Sequence, residues 1–261
     1  MPLALMVELA AQACCRCFPG SHFCGCDNLR VLRSITLPKH ETELQSTIAD
    51  SHVIVEISQV KRQGSQLWVD FSLNHRKPDK KPVKCVTGTI VLAEEPPTPP
   101  SQEKDIRQLK GKAYPRPIDE AYDSFLFHGP NLRGINRIRK HSDSGLWADI
   151  ENKGRSTQGY PNLKPIADPL FLDCALQSGL LWSGLERGLC SLPMFGGQYR
   201  QYVQDFPEHT EVVLYPKEVS EHQLCGDIFL VDSEGRILAE WRDVHWVMSS
   251  SLLDSFRYNH L

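Results

Sequence analysis

Asp173 and Gln177 stand four residues apart in a run that is otherwise apolar, with Leu170, Leu172, Leu176, Leu180 and Leu181 around them. At helical spacing the two polar side chains share one face. An ionised carboxylate is costly to bury alone, so Asp173 is either functional or a partnered, core-polar residue. Asp168 suits the N-cap of this helix and Pro169 its first position. Nine cysteines form the other conspicuous set, and five of them (Cys14, Cys15, Cys17, Cys24 and Cys26) crowd the start. Their C-x-C spacings would in principle gather thiolates around zinc. The C-x2-C spacing usual in zinc knuckles is absent, so small buried thiols without metal are the expectation. Among the histidines, His22 reads as part of a Cys-rich loop, His128 as a residue of a turn leading into a strand, and His245 as a strand residue.

These residues need a scaffold, and 261 residues suffice for one large domain or two small ones. A net charge of -3 gives no electrostatic basis for binding nucleic acid or an anionic membrane surface. No apolar run approaches the roughly 20 residues of a membrane span. The opening Met1–Val7 stretch lacks a basic leader and is interrupted by Glu8, so the expected location is cytoplasmic.

Residues 2–17 read as a helix apolar on nearly every side, which something must wrap. Strands are expected at Leu29–Leu37, Val53–Ile57, Leu67–Leu73 and Val83–Ala93, with a hairpin turn at Gln63-Gly64-Ser65. Four prolines in the five residues 96–100 then favour an extended linker. The pattern returns after it: strands near Gly134–Ile138 and Gly145–Ile150, a second apolar helix at Pro169–Leu185, and strands at Gln198–Val203, Thr210–Tyr215, Leu224–Val231 and Arg236–Met248. Asp232-Ser233-Glu234-Gly235 supplies a turn between the last two. The expected organisation is an α+β fold used twice, each unit a sheet wrapped round its own helix. The first unit (1–93) lacks leading strands, residues 94–113 link, and residues 114–261 form the second unit.

The run Leu126-Phe127-His128-Gly129-Pro130, with Gly134-Ile135 behind it, resembles the signature that opens the second hotdog of synthase dehydratase domains. Asp173-Cys174-Ala175-Leu176-Gln177 is similar to that family's D-x-x-x-Q/H motif, and Gly235–Glu240 to its final hairpin and strand. Pro2–Ala10 resembles the helix of its first hotdog, in a form similar to synthases of polyunsaturated or very long acyl chains. The resemblance implies a double hotdog that removes water from a 3-hydroxyacyl thioester. The substrate would ride on the phosphopantetheine of an acyl carrier protein, with no cofactor or metal bound directly. It further implies Asp173 as the acid protonating the departing hydroxyl and Gln177 as its orienting partner. Leu176, Phe171, His128, Gly129 and Pro130 would line the substrate's path. Other synthase domains are the implied partners, and a homodimer is in keeping with the family.

One departure accompanies the resemblance. The family's base lies in H-x-x-x-G-x-x-x-x-P, whose proline aligns with Pro2, so the histidine belongs nine residues before it. The expectation is a truncated dehydratase, inactive alone. Two alternatives stand beside it: a non-catalytic hotdog scaffold that binds carrier protein or a synthase partner, and a product-template cyclase. Gln177, where a cyclase carries histidine, argues against the last.

Overall fold

The computed structural model describes residues 1–35, 52–77, 79–101, 106–152 and 164–252. The first unit opens with helix α1 (Leu3–Cys17), followed by strands β1 (His22–Val31), β2 (His52–Gln63), β3 (Gln66–Arg76) and β4 (Val83–Ala93). In the second unit a short helix α2 (Ile118–Phe125), a single 3-10 turn (Pro130–Leu132) and strands β5 (Ile135–Ser142) and β6 (Gly145–Glu151) come first. Helix α3 (Pro169–Trp182) follows and runs on into a π-helical turn (Ser183–Arg187). Strands β7 (Cys190–Gln201), β8 (His209–Val219), β9 (Gln223–Val231) and β10 (Ile237–Ser249) come after it. Among the described residues, two strands precede the helix in the second unit and none does in the first, so four strands face six.

The ten strands of the described residues form one antiparallel sheet in the order β2-β3-β4-β1-β7-β10-β9-β8-β6-β5. The two units join where β1 pairs with β7, from Gly25 opposite Arg200 to Arg30 opposite Phe195. Asp27 and Arg200 lock that seam with a two-pronged ion pair, one arm of 3.0 Å. Each helix lies against the strands of its own unit, and the two helices touch each other. The sheet wraps both, so their apolar residues meet in one core that includes Val7, Ala10, Phe171, Leu172 and Trp182.

Helix α3 is buried along its whole length, its few polar side chains (Asp173, Gln177, Ser178) included. Helix α1 differs from its reading. Leu9 is 39% exposed, whereas Glu8, which interrupts the apolar run in the sequence, is buried. A carboxylate is tolerated there because it is paired: Glu8 accepts hydrogen bonds from the backbone N–H groups of Ile166 and Ala167 and from Gln12.

Several strand limits also differ. The strand read at Leu29–Leu37 is β1, which begins at His22 and ends at Val31; residues 36 and 37 lie outside the described residues. His22, Cys24 and Cys26 are thus on a strand, not in a loop. Strand β7 starts at Cys190 rather than Gln198, and α3 passes into its π turn at Ser183. The second half of the linker segment is not free chain. Leu109 is buried, and Lys112 pairs with His141 of β5.

Candidate active site

Every group at the site comes from α3 or from the segment Tyr122–Ile135 that crosses it. Asp173 and Gln177 are one helical turn apart, and Gln177 Nε2 donates to Asp173 Oδ2 over 2.7 Å and to the carbonyl of Leu132 over 2.8 Å. Tyr122, on α2, donates its phenol to Gln177 Oε1 (2.9 Å) and accepts from the N–H of Ile135 (3.0 Å). His128 closes the other side, with Nε2 3.2 Å from the same Asp173 Oδ2. All of Asp173, Gln177, Tyr122 and His128 are buried.

The crossing segment is held from outside by Arg133. Its Nε donates to the carbonyl of His128 (2.9 Å), another nitrogen reaches Asp123 (3.2 Å), and the guanidinium lies over the Tyr122 ring. Phe127 stacks on the His128 imidazole with ring centres 4.3 Å apart. A histidine gripped at its backbone and covered on one face has little rotational freedom, so its contact with Asp173 is preset.

Burial shifts both members of the pair away from their charged forms. It pushes the Asp173 carboxyl up, against the opposing pull of His128 and Gln177. It pushes the His128 imidazole down, against the attraction of Asp173 and aided by Arg133. Both directions favour the neutral forms, a protonated carboxyl beside an uncharged imidazole. Both protein contacts fall on Oδ2, and among the described residues none is made to Oδ1. Nor is Oδ1 one of the sealed, unpartnered atoms, a group that includes His128 Nδ1 and Asp168 Oδ1. The carboxyl is therefore held through Oδ2 by Gln177, with His128 close by, in surroundings that disfavour its charged form.

The remaining candidates lie around this centre. Phe171 is fully buried and stacks on Phe206 at 4.7 Å, and Leu176 is buried with its carbonyl accepting from Trp246. Gly129 caps the 3-10 turn, its carbonyl accepting from Leu132, and Pro130 stands exposed at that turn's start. Asp168 does sit at the N-cap of α3 but makes no capping bond with its side chain. Its backbone is left-handed (φ 49°) instead of the extended form an N-cap normally adopts. Tyr122 and the His128–Asp173 contact escaped the sequence reading. The signal for α2 was present in Pro117-Ile118-Asp119-Glu120, a proline and acidic first turn. Among the described residues no group of three or more His, Cys, Asp or Glu side chains is placed to hold a metal. Burial raises the Cys14 thiol to about 12 and the Cys24 thiol to about 11.

Residues 98–255 match the family described as the polyketide synthase dehydratase N-terminal domain, and the chain belongs to that family. It is 24% identical over 198 residues to one of the subunits of the polyunsaturated fatty acid synthase from a Thraustochytrium species. That match covers 74% of this chain and 6% of the much longer synthase polypeptide. Among solved structures, the dehydratase domain of RzxB from Pseudomonas fluorescens superposes with a TM-score of 0.66 at 14% identity, covering 94% of this chain and 84% of that one. The dehydratase domain from the CurF module of the curacin polyketide synthase gives 0.70 at 17%, covering 95% and 84%. That of PpsC from Mycobacterium tuberculosis gives 0.67 at 15%, with the same coverage. At these identities the likeness is one of fold, and the fold is the double hotdog. No helix among the described residues is long and apolar enough to cross a membrane.

Proposed function

We propose that the chain forms the acid-bearing part of a dehydratase acting on 3-hydroxyacyl thioesters carried by an acyl carrier protein within a synthase. Asp173 is the general acid. A base removes a proton from C2 of the acyl chain, the C3–oxygen bond breaks, and the Asp173 proton joins the departing hydroxyl to make water. Gln177 holds the carboxyl through Oδ2, and Tyr122 holds Gln177. The base belongs on the family's H-x-x-x-G-x-x-x-x-P pattern ahead of Pro2, so turnover needs a chain that carries this segment. The observation that carries the reading is the buried carboxyl of Asp173, pushed up by burial and held through Oδ2 by Gln177.

The test uses a chain extended with that segment and a 3-hydroxyacyl pantetheine thioester, with appearance of the enoyl thioester as the signal. Asp173→Asn is expected to lower turnover by about 10²–10⁴-fold. Unchanged turnover in that variant would remove Asp173 from the reaction.

A further inference from the structure

Asp173 is only 3% exposed, and Gln177, Tyr122 and His128 around it are buried too. A molecule that meets the carboxyl must therefore displace one of its walls. Helix α3 and the sheet behind it are fixed by repeating backbone bonds, with β6 paired to β5 on one side and to β8 on the other. Residues 127–133 form a wall of another kind. They cross α3 between Leu126, buried at the end of α2, and Gly134, whose carbonyl accepts the Glu151 N–H over 2.9 Å. Their backbone closes on itself in one 3-10 turn, and among the described residues it joins no strand ladder. Gln177 holds this stretch from below, donating to the Leu132 carbonyl over 2.8 Å. Arg133 holds it from outside. Its Nε donates to the His128 carbonyl over 2.9 Å, and its other nitrogens lie 3.2 Å from Asp123 and 3.9 Å from Asp119, both on α2. Those two carboxylates are 66% and 78% exposed, so the ion pairs are weak and screened by salt.

We propose that residues 127–133 are a strap that gates Asp173, with Arg133 as its latch: substrate reaches the carboxyl when the strap lifts and carries His128 away from it. The inference rests on the acid role of Asp173 and adds to it the way the substrate's hydroxyl arrives. The far end of the strap is a fixed pivot, because the backbone of Gly134 lies so close to α3 that a Cβ would sit 2.6 Å from Cys174 Sγ. Gly129, ahead of the 3-10 turn, supplies the conformational freedom a moving segment needs. Lifting breaks the Arg133 contacts and the Gln177–Leu132 bond, whose polar groups water then serves, and it costs no ladder bond of the sheet. Gln177 keeps its bonds to Asp173 and Tyr122 meanwhile, so the acid stays oriented in the open form. In the closed form the stacked Phe127 and His128 rings cover the site and keep water from it.

The experiment is modification of the histidines of this chain by diethyl pyrocarbonate at constant pH, followed residue by residue by peptide mass spectrometry. His128 and His141 are similarly buried, at 6% and 4% exposure. His141 lies on β5, away from the strap, and serves as the reference for general loosening. Arg133→Gln is expected to raise the His128 rate about tenfold and to leave that of His141 unchanged. The charge effect has the opposite sign. Arg133 disfavours the protonated imidazole, so its loss alone would slow the reaction, and a faster rate reports exposure. Asp119→Asn combined with Asp123→Asn leaves the strap's own sequence intact and is expected to act in the same direction. Added salt should speed the reaction of His128 in the parent chain and not in Arg133→Gln. Equal rises at His128 and His141, or a His128 rate unmoved in both variants, would overturn the proposal. Failure of the acid role is seen separately, as unchanged turnover by Asp173→Asn in the extended chain with the His128 rates as expected.

Discussion

Glu8 and Ala167 are 159 positions apart in sequence, yet the Glu8 carboxylate accepts the Ala167 N–H over 2.7 Å. The neighbouring N–H of Ile166 reaches the same carboxylate over 2.9 Å. One side chain of the first helix thus satisfies the backbone that leads into the second, and it fixes where α3 starts. Glu8→Ala leaves both N–H groups without a partner and is expected to destabilise the fold by about 2–4 kcal/mol. Glu8→Gln retains one acceptor and should cost about half as much. Urea unfolding of the two variants checks the order, and equal midpoints for Glu8→Ala and the parent chain would exclude the bridging role.

Asp168 gives the fold a pH dependence of definite sign. Burial lifts its carboxyl from the ordinary 3.8 to about 6. Between those values the folded chain holds a proton that the unfolded chain has released. Stability from this group is therefore full below about pH 4 and declines as pH rises through 6, by about 1–3 kcal/mol in total. Asp168→Asn has no proton to lose and accepts the left-handed backbone at least as well. Its advantage over the parent should be larger at about pH 7.5 than at about pH 4. A constant difference between the two across that range is the contrary outcome.

Tyr122 is the keystone of the polar chain behind the acid. Tyr122→Phe deprives the Ile135 N–H of its acceptor and Gln177 Oε1 of its donor, both buried, at an expected cost of about 1–3 kcal/mol. In the extended chain, Gln177 then orients Asp173 less well, and kcat should fall by up to about a hundredfold with little change in KM. A rise in KM alone would place Tyr122 in substrate binding instead.

Gly179 marks where α3 and the sheet come closest. A Cβ there would lie 2.3 Å from Cε2 of Trp246, an indole that is fully buried and donates to the Leu176 carbonyl. Gly179→Ala must push the indole away, and about 2–4 kcal/mol of stability should be lost through overpacking and the weakened hydrogen bond. Near-ultraviolet circular dichroism reports the displaced tryptophan; an unaltered spectrum with unaltered stability would show that the helix moves freely instead.

The strands most legible in the sequence are those rich in β-branched and apolar residues and bounded by turn residues. Val83–Ala93 has the limits of β4, and the Gly64-Ser65 turn between β2 and β3 stands where the hairpin was expected. Strand β7 was half hidden because Pro193, Gly196 and Gly197 break the alternation that marks a strand. Strand β1 was displaced for a related reason. Gly25 lies so close to β7 that a Cβ would sit 1.9 Å from the Tyr199 carbonyl oxygen, so the seam demands a residue that looks like a loop. At the site, helical spacing was enough to pair Asp173 with Gln177. The His128–Asp173 and Tyr122–Gln177 contacts join residues 45 and 55 positions apart, and no local pattern encodes such a meeting.

The seam between β1 and β7 changes the meaning of the proline-rich stretch at residues 96–100. A protein engineer would see there the natural place to divide the chain. Two separately made fragments would each expose a full-length edge strand, and exposed edges of this kind pair with whatever strand they meet. Alone, each piece is expected to clump. Mixed during folding, each offers the other its missing neighbour, with Asp27 and Arg200 setting the register, so the molecule holds the makings of a split-protein complementation pair.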